Sequence, residues 1–167
     1  MQEHTIQFIV DAPRETVWRS FHIPPRKSGE SPRVIEYPGG RIEILNEGDE
    51  AGEGLVRICT FEVPRYLLSG GRAMSWETIT EARYGEFSRY FAIGKPLWSE
   101  AEGWHSLEET NDGRTRLTFH ETYHAKNPVL RVLLERRVHE FISDRNNAAY
   151  DGLLGRLGRV ERVGHPV

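Results

Sequence analysis

At 167 residues and 19.2 kDa, with 38% hydrophobic and 28% charged residues, the chain has the size and composition of one soluble globular domain with a sizeable core. A formal net charge of -3 and a sequence pI near 6.2 give no global electrostatic case for nucleic acid or an anionic membrane. The single Cys59 excludes an internal disulfide. Together with the lack of a basic-then-apolar leader or a run of about 18 apolar residues, it points to a cytoplasmic protein without stable membrane insertion, a monomer or homodimer.

The set Ile6, Phe8, Ile9 and Val10 predicts a first strand, stopped at Asp11-Ala12-Pro13. Asp11 is a candidate N-cap for a short helix carrying Val17, Trp18 and Phe21 on one stripe, which ends at Pro24-Pro25. Arg26 to Gly40 is polar, with scattered Gly, Ser and Pro. It reads as a long loop holding one short helix near Val34 to Tyr37, a candidate entrance flap. Five apolar-alternating runs follow: 41–46, 54–61, 74–82, 86–93 and 102–110. A last strand spans about Arg114 to His124, so seven strands form an antiparallel meander. After Asn127-Pro128 one amphipathic helix runs from about Val129 to about Gly158, roughly 42 Å long. That is long enough to cross a curved sheet and leave a hollow beneath. The reading is a single domain over residues 1–159, with 160–167 as a flexible tail.

Thr110-Asn111-Asp112-Gly113-Arg114 reads as a three-residue hairpin loop with Gly113 in the left-handed conformation. That register sets Leu107 opposite Leu117 and His105 opposite Phe119, with Glu121 and Tyr123 on the same face. On the neighbouring strand Phe87, Arg89, Phe91 and Ile93 share the apolar face. Arg89 and Glu121 are therefore charges on faces whose pattern indicates burial. Such groups pair with each other, reach water at a cavity mouth, or contact a ligand. His105 is either a satisfied core histidine or a general base. On the helix, Leu130, Leu133, Leu134, Val138, Phe141, Ile142 and Ala149 are expected to face the sheet, with Glu135 among the solvated residues and Arg145 interrupting the stripe.

The positions expected to line the hollow are Trp76, Phe87, Arg89 and Phe91 on the middle strands. His105, Leu107, Phe119, Glu121 and Tyr123 join them on the last hairpin, and Leu134, Val138, Phe141 and Arg145 on the helix. No metal is expected: His120 and His124 share a strand face but stand about 13 Å apart. No nucleophile elbow, phosphate loop or dinucleotide fingerprint occurs, so no cofactor is expected.

The segments Ile9-Val10-Asp11-Ala12-Pro13-Arg14-Glu15-Thr16-Val17-Trp18, Gly52-Glu53-Gly54-Leu55-Val56-Arg57 and Leu107 to Leu117, with the long final helix, resemble the helix-grip superfamily over nearly the whole chain. That superfamily includes START-like lipid-transfer domains, the birch-pollen allergen, polyketide cyclases and aromatases, and Hsp90-activator homologues. The Pro-rich segment Pro24 to Pro38 departs from relatives with a clearer second helix. The resemblance implies an α+β helix-grip fold, a seven-stranded curved antiparallel sheet around the long helix, with a short helix or helix pair between strands one and two. It implies binding of a small hydrophobic molecule, such as a lipid, an isoprenoid or a polycyclic aromatic. The alternatives are a metal-free cyclase using Arg89 with Glu121 or His105, or an interaction module that works through an exposed apolar patch.

Overall fold

Alternating polarity and Gly-rich turns produce strands through most of the chain, and an Asn-Pro break starts the long helix. The computed structural model describes residues 1–26, 33–37, 39–67 and 69–163. In chain order they form β1 (Gln2–Val10), α1 (Arg14–Phe21), β2 (Arg33–Tyr37), β3 (Gly40–Asn46), β4 (Val56–Glu62), a short 3-10 turn (Arg65–Leu67), β5 (Arg72–Arg83), β6 (Phe87–Lys95), β7 (Ser99–Glu109), β8 (Thr115–Ala125), α2 (Pro128–Leu154) and β9 (Val160–Val163). All pairings are antiparallel, in the order β2-β3-β4-β5-β6-β7-β8-β1-β9. Irregular registers at Ile44/Asn46 and Ile79/Glu81 bend the strands and help curve the sheet under α2.

The β7–β8 turn forms as its residues dictate. Gly113 has φ of 81°, and the Thr110 N–H donates to the Arg114 carbonyl at 2.8 Å. Leu107 therefore lies opposite Leu117 and His105 opposite Phe119, as the sequence predicts. The helix start also follows from local chemistry. Pro128 fills the first turn, and the Asn127 side chain accepts from the N–H groups of Val129 and Leu130 at 2.9 and 3.1 Å.

Four expectations are corrected. The sheet has nine strands rather than seven. Val34 to Tyr37, read as a loop with a short helix, lies in β2, because β3 offers its edge to Ile35 and its neighbours. Most of the rest of the expected flap, residues 27–32 and 38, lies outside the described residues, and between β1 and β2 the described residues hold α1 alone. Residues 160–163, assigned to a flexible tail, form β9 instead and pair with the otherwise open edge of β1. Asp11 does not cap α1. Pro13 occupies that position, while the Asp11 backbone N–H donates to Arg159 at the turn into β9.

The helix face is also revised. Glu135, Val138, His139, Ser143, Asn147 and Leu154 are buried, whereas Leu133 and Ala149 are exposed. Glu135, expected in solvent, is 2% exposed because it accepts the Ala125 N–H at 2.7 Å. Burial pushes its carboxyl up, but that bond, together with the Met1 ammonium at 3.2 Å and the Gln2 side chain, outweighs it and holds the carboxyl below the usual range.

Two apolar clusters anchor the helix. One joins Phe8, Val10, Trp18, Leu117 and Phe119 to Leu154, and the other joins Val63, Leu67, Leu97 and Tyr123 to Val138. Each large side chain so buried contributes about 1.5–3 kcal/mol. Replacing Asn127 with Ala leaves two helix N–H groups without that acceptor, and denaturant unfolding should show a loss of about 1 kcal/mol with an unchanged m-value.

Candidate functional site

Between the two clusters the concave face and α2 part to leave a cavity of about 200 Å³. Its floor comes from inward positions on five adjacent strands. β4 supplies Arg57 and Phe61, β5 supplies Ser75 and Glu77, and β6 supplies Tyr90, Ala92 and Gly94. β7 adds Ser99, Ala101 and His105, and β8 adds Phe119, Glu121 and Tyr123. The roof is Ile142, Asn146 and Tyr150 of α2. Small residues at positions 92, 94 and 101 leave the room. Six of the polar side chains form three pairs.

The first pair is ionic. Arg57 reaches Glu77 through Nη2 at 2.8 Å and Nε at 2.9 Å, and Ser75 Oγ donates to the other Glu77 oxygen at 2.7 Å. Burial works against the Arg57 charge, but Glu77 outweighs it and holds the guanidinium above its ordinary value. Both oxygens of Glu77 are thereby occupied.

The second pair is Tyr90 and Glu121. The Tyr90 hydroxyl donates to Glu121 Oε2, while Oε1 is buried without a hydrogen-bond partner among the described residues. Glu121 is 4% exposed. Burial first, and the charge of Glu77 in addition, push its carboxyl up to about 7, with the Tyr90 hydrogen bond opposing them. The Tyr90 phenol is raised well above its ordinary value by burial and by the neighbouring Glu121.

Gly103 makes this pair geometrically accessible. It lies opposite both Tyr90 and Glu121 on the intervening strand, and a Cβ there would fall 2.6 Å from the Tyr90 ring. Its hydrogen lets the phenol lie across β7 and reach the carboxyl two strands away.

In the third pair, the His105 ring stacks between Phe21 and Phe119 with centroids at 5.2 and 5.0 Å, and its Nε2 bonds to the Tyr150 hydroxyl. Burial, with Arg57 adding to it, lowers its pKa to about 3, so the imidazole is neutral at ordinary pH. Burial and Glu121 raise the Tyr150 phenol. The cavity thus offers a guanidinium, a neutral imidazole–phenol pair and a carboxyl able to exist in either protonation state.

Of the thirteen positions expected to line the hollow, His105, Phe119, Glu121 and Tyr123 do so. Trp76, Phe87, Arg89 and Phe91 point to the opposite face of the sheet. Trp76 is 51% exposed and Arg89 44%, Arg89 paired with Glu81 at 3.6 Å, while Phe87 stacks on Trp104. β6 carries its large apolar residues on the outer face and its small ones on the face that encloses space. Pairing fixes this parity, since Tyr90 shares a cross-strand line with Gly103 and Glu121. Leu107 fills the first cluster, and Leu134, Val138 and Phe141 pack in the second. Arg145 donates to the Glu62 carbonyl at 2.7 Å instead of entering the cavity.

Arg57, Glu77, Tyr90, Asn146 and Tyr150 were not among the expected lining residues. The register signal was present for Tyr90: once Glu121 is inward, its cross-strand neighbours are inward too. Among the described residues no group of three or more His, Cys, Asp or Glu is placed to hold a metal ion, and no helix is long and apolar enough to cross a membrane. Cys59 is a buried free thiol, pushed up by its burial.

No family model matches the chain, and no curated protein matches it in sequence. Solved structures do match its shape. Ara h 8.0201 superposes with a TM-score of 0.60 at 17% identity, over 93% of this chain and 98% of the other. A conserved protein from Geobacillus kaustophilus gives a TM-score of 0.61 at 14% identity over 93% of each chain. Protein MLL2253 from Mesorhizobium loti gives a TM-score of 0.56 at 11% identity, over 92% of this chain and 95% of the other. The chain has the helix-grip fold. At such identities the likeness establishes architecture, and function has to come from the cavity.

The Glu121 carboxyl ionises near 4.5 in the unfolded chain and near 7 in the folded one. Between these values the folded state holds more protons, so this group's contribution to stability falls as pH rises through that window. The difference in unfolding free energy between the native protein and Glu121→Gln should shift toward the variant by up to about 3 kcal/mol from pH 4.5 to pH 7. A difference that stays constant with pH would show that Glu121 titrates normally.

Proposed function

We propose that the protein binds a compact small molecule in the cavity between sheet and helix: a ring system of one or two fused rings bearing at least one oxygen that takes part in hydrogen bonding. The observation that carries this reading is the cavity lined by the polar side chains of Arg57, Tyr150 and Glu121, with Glu121 Oε1 buried without a hydrogen-bond partner among the described residues. A buried polar atom in that state is stabilised by a guest that supplies a partner. Phe119, Phe61 and Ile142 provide apolar walls, and Arg57, Tyr150 and Glu121 provide the orienting groups.

The volume narrows the class of guest. Pockets for drug-sized ligands run to roughly 300–1,000 Å³, so about 200 Å³ favours a small bicyclic compound over an acyl lipid or an extended polycyclic skeleton. The polar lining also departs from a purely greasy hollow. The cyclase reading loses Arg89, which faces away, and keeps Glu121 and His105, which line one space.

Native mass spectrometry of the protein purified from its own host should detect a retained small molecule. Ala101→Phe, which places a ring in the cavity floor, should lose that adduct while unfolding cooperatively with a penalty of about 1–3 kcal/mol. An adduct that survives in Ala101→Phe would place the ligand elsewhere.

A further inference from the structure

Most polar side chains that line the cavity are already bonded to neighbours. Glu77 has both oxygens taken, Tyr90 donates to Glu121, Tyr150 is bonded to His105, and the Ser99 and Tyr123 hydroxyls donate to the Pro96 carbonyl. Two lining groups keep both open surface and unused hydrogen-bonding capacity. Asn146, in the roof, is partly exposed, and its carboxamide makes no hydrogen bond to another described residue. Arg57, in the floor, is 22% exposed and commits Nε and Nη2 to Glu77, which leaves Nη1 uncommitted.

We infer that Arg57 and Asn146 form a two-sided clamp for a neutral cyclic secondary amide, a lactam, whose carbonyl oxygen lies between them and whose N–H meets Asn146. The inference rests on the proposed binding reading and names the class of guest.

The charges of the lining exclude ionic guests. Arg57 and Glu77 cancel and His105 is neutral, so a carboxylate entering the cavity would find no uncompensated cation and would face Glu77 and Glu121. A cation fares no better. Both oxygens of Glu77 are bonded, while Glu121 has one oxygen on Tyr90 and the other buried.

The two open groups then select among neutral compounds. A carboxamide presents an acceptor and a donor side by side. A small ring holds a secondary amide in the cis form, which sets its own N–H and C=O side by side in the complementary order. Asn146 Oδ1 accepts the lactam N–H, and its Nδ2 donates to the lactam carbonyl. The second lone pair of that carbonyl oxygen accepts from Arg57 Nη1. A ketone or a lactone satisfies Arg57 equally well but leaves Asn146 Oδ1 without a donor.

The test uses the full chain with 2-quinolone and coumarin, bicyclic probes of one shape that differ by N–H against ring oxygen, and reads affinity by titration calorimetry. The native protein should bind 2-quinolone about tenfold more tightly than coumarin, and should bind the anion 2-naphthoate more weakly than either. Asn146→Leu, which keeps the bulk of the side chain, should bring 2-quinolone down to the affinity of coumarin. Asn146→Ala, which cannot crowd the roof, should remove the same preference. Both variants should unfold close to the native chain, since Asn146 holds no bond within the protein. Equal or reversed affinities in the native protein, with both probes lost in Ala101→Phe, overturn the inference and leave the binding reading standing. A preference that persists in both Asn146 variants, or tighter binding of 2-naphthoate, overturns it in the same way. Binding that survives in Ala101→Phe, or no binding of either bicycle, removes both readings together.

Discussion

Helix α2 meets the sheet through two apolar clusters with polar contacts between them, and the cavity lies along that polar stretch. Near its end Leu154 joins the cluster of Phe8 and Leu117, and nearer its start Val138 joins that of Leu67 and Tyr123. Between and beside these anchors the buried helix face is polar. Polar groups can be enclosed only when bonded, and most here are: Glu135 takes the Ala125 N–H, and Asn147 bonds to His4 at 2.9 Å. Over the gap stand Ile142, Asn146 and Tyr150, which roof the space without filling it. Two separated hydrophobic anchors supply the burial energy, so the middle of the interface can remain hollow.

Within that hollow the charges are distributed unevenly. A guanidinium placed against Glu121 would hold that carboxyl ionised. Arg57 instead grips Glu77 through two nitrogens, and the residual field of Glu77 adds to the desolvation of Glu121. One carboxylate thus has both oxygens bonded, while burial raises the other to about 7. The neighbouring imidazole is pinned neutral between two aromatic rings, so it contributes hydrogen-bonding capacity without a charge to compete with either carboxylate.

The parts of this arrangement legible in the sequence are those fixed by local chemistry. Gly113 set the β7–β8 turn, which set the inward residues of β8, and Asn127-Pro128 set the helix start. Parity failed on β6 because the usual rule was inverted there. Phe87 and Phe91 cover the outer surface, while Tyr90, Ala92 and Gly94 line a cavity, where bulk would remove the space. β2 and β9 are short edge strands whose conformation comes from the partner they pair with, β3 and β1, and their own composition reads as loop. The helix face departs from its periodicity at Leu133 and Glu135 for a related reason: burial of Glu135 depends on a backbone N–H of β8, which no helical periodicity reveals.

Gly103 joins the fold to the chemistry. A glycine inside a strand weakens it by roughly 0.5–1 kcal/mol relative to alanine through chain entropy and missing packing. In the sequence it reads as a mild defect in a good strand. In the sheet it occupies the one position lying opposite both Tyr90 and Glu121, and the absence of a Cβ is what lets the ring cross β7. Any larger residue would push the phenol off its path, leaving Glu121 with both oxygens unsatisfied and its burial harder to sustain. The local loss in strand stability is therefore coupled to the hydrogen bond that tempers the desolvation of the buried carboxyl. Sheet register, rather than any motif along the chain, places these three residues in line.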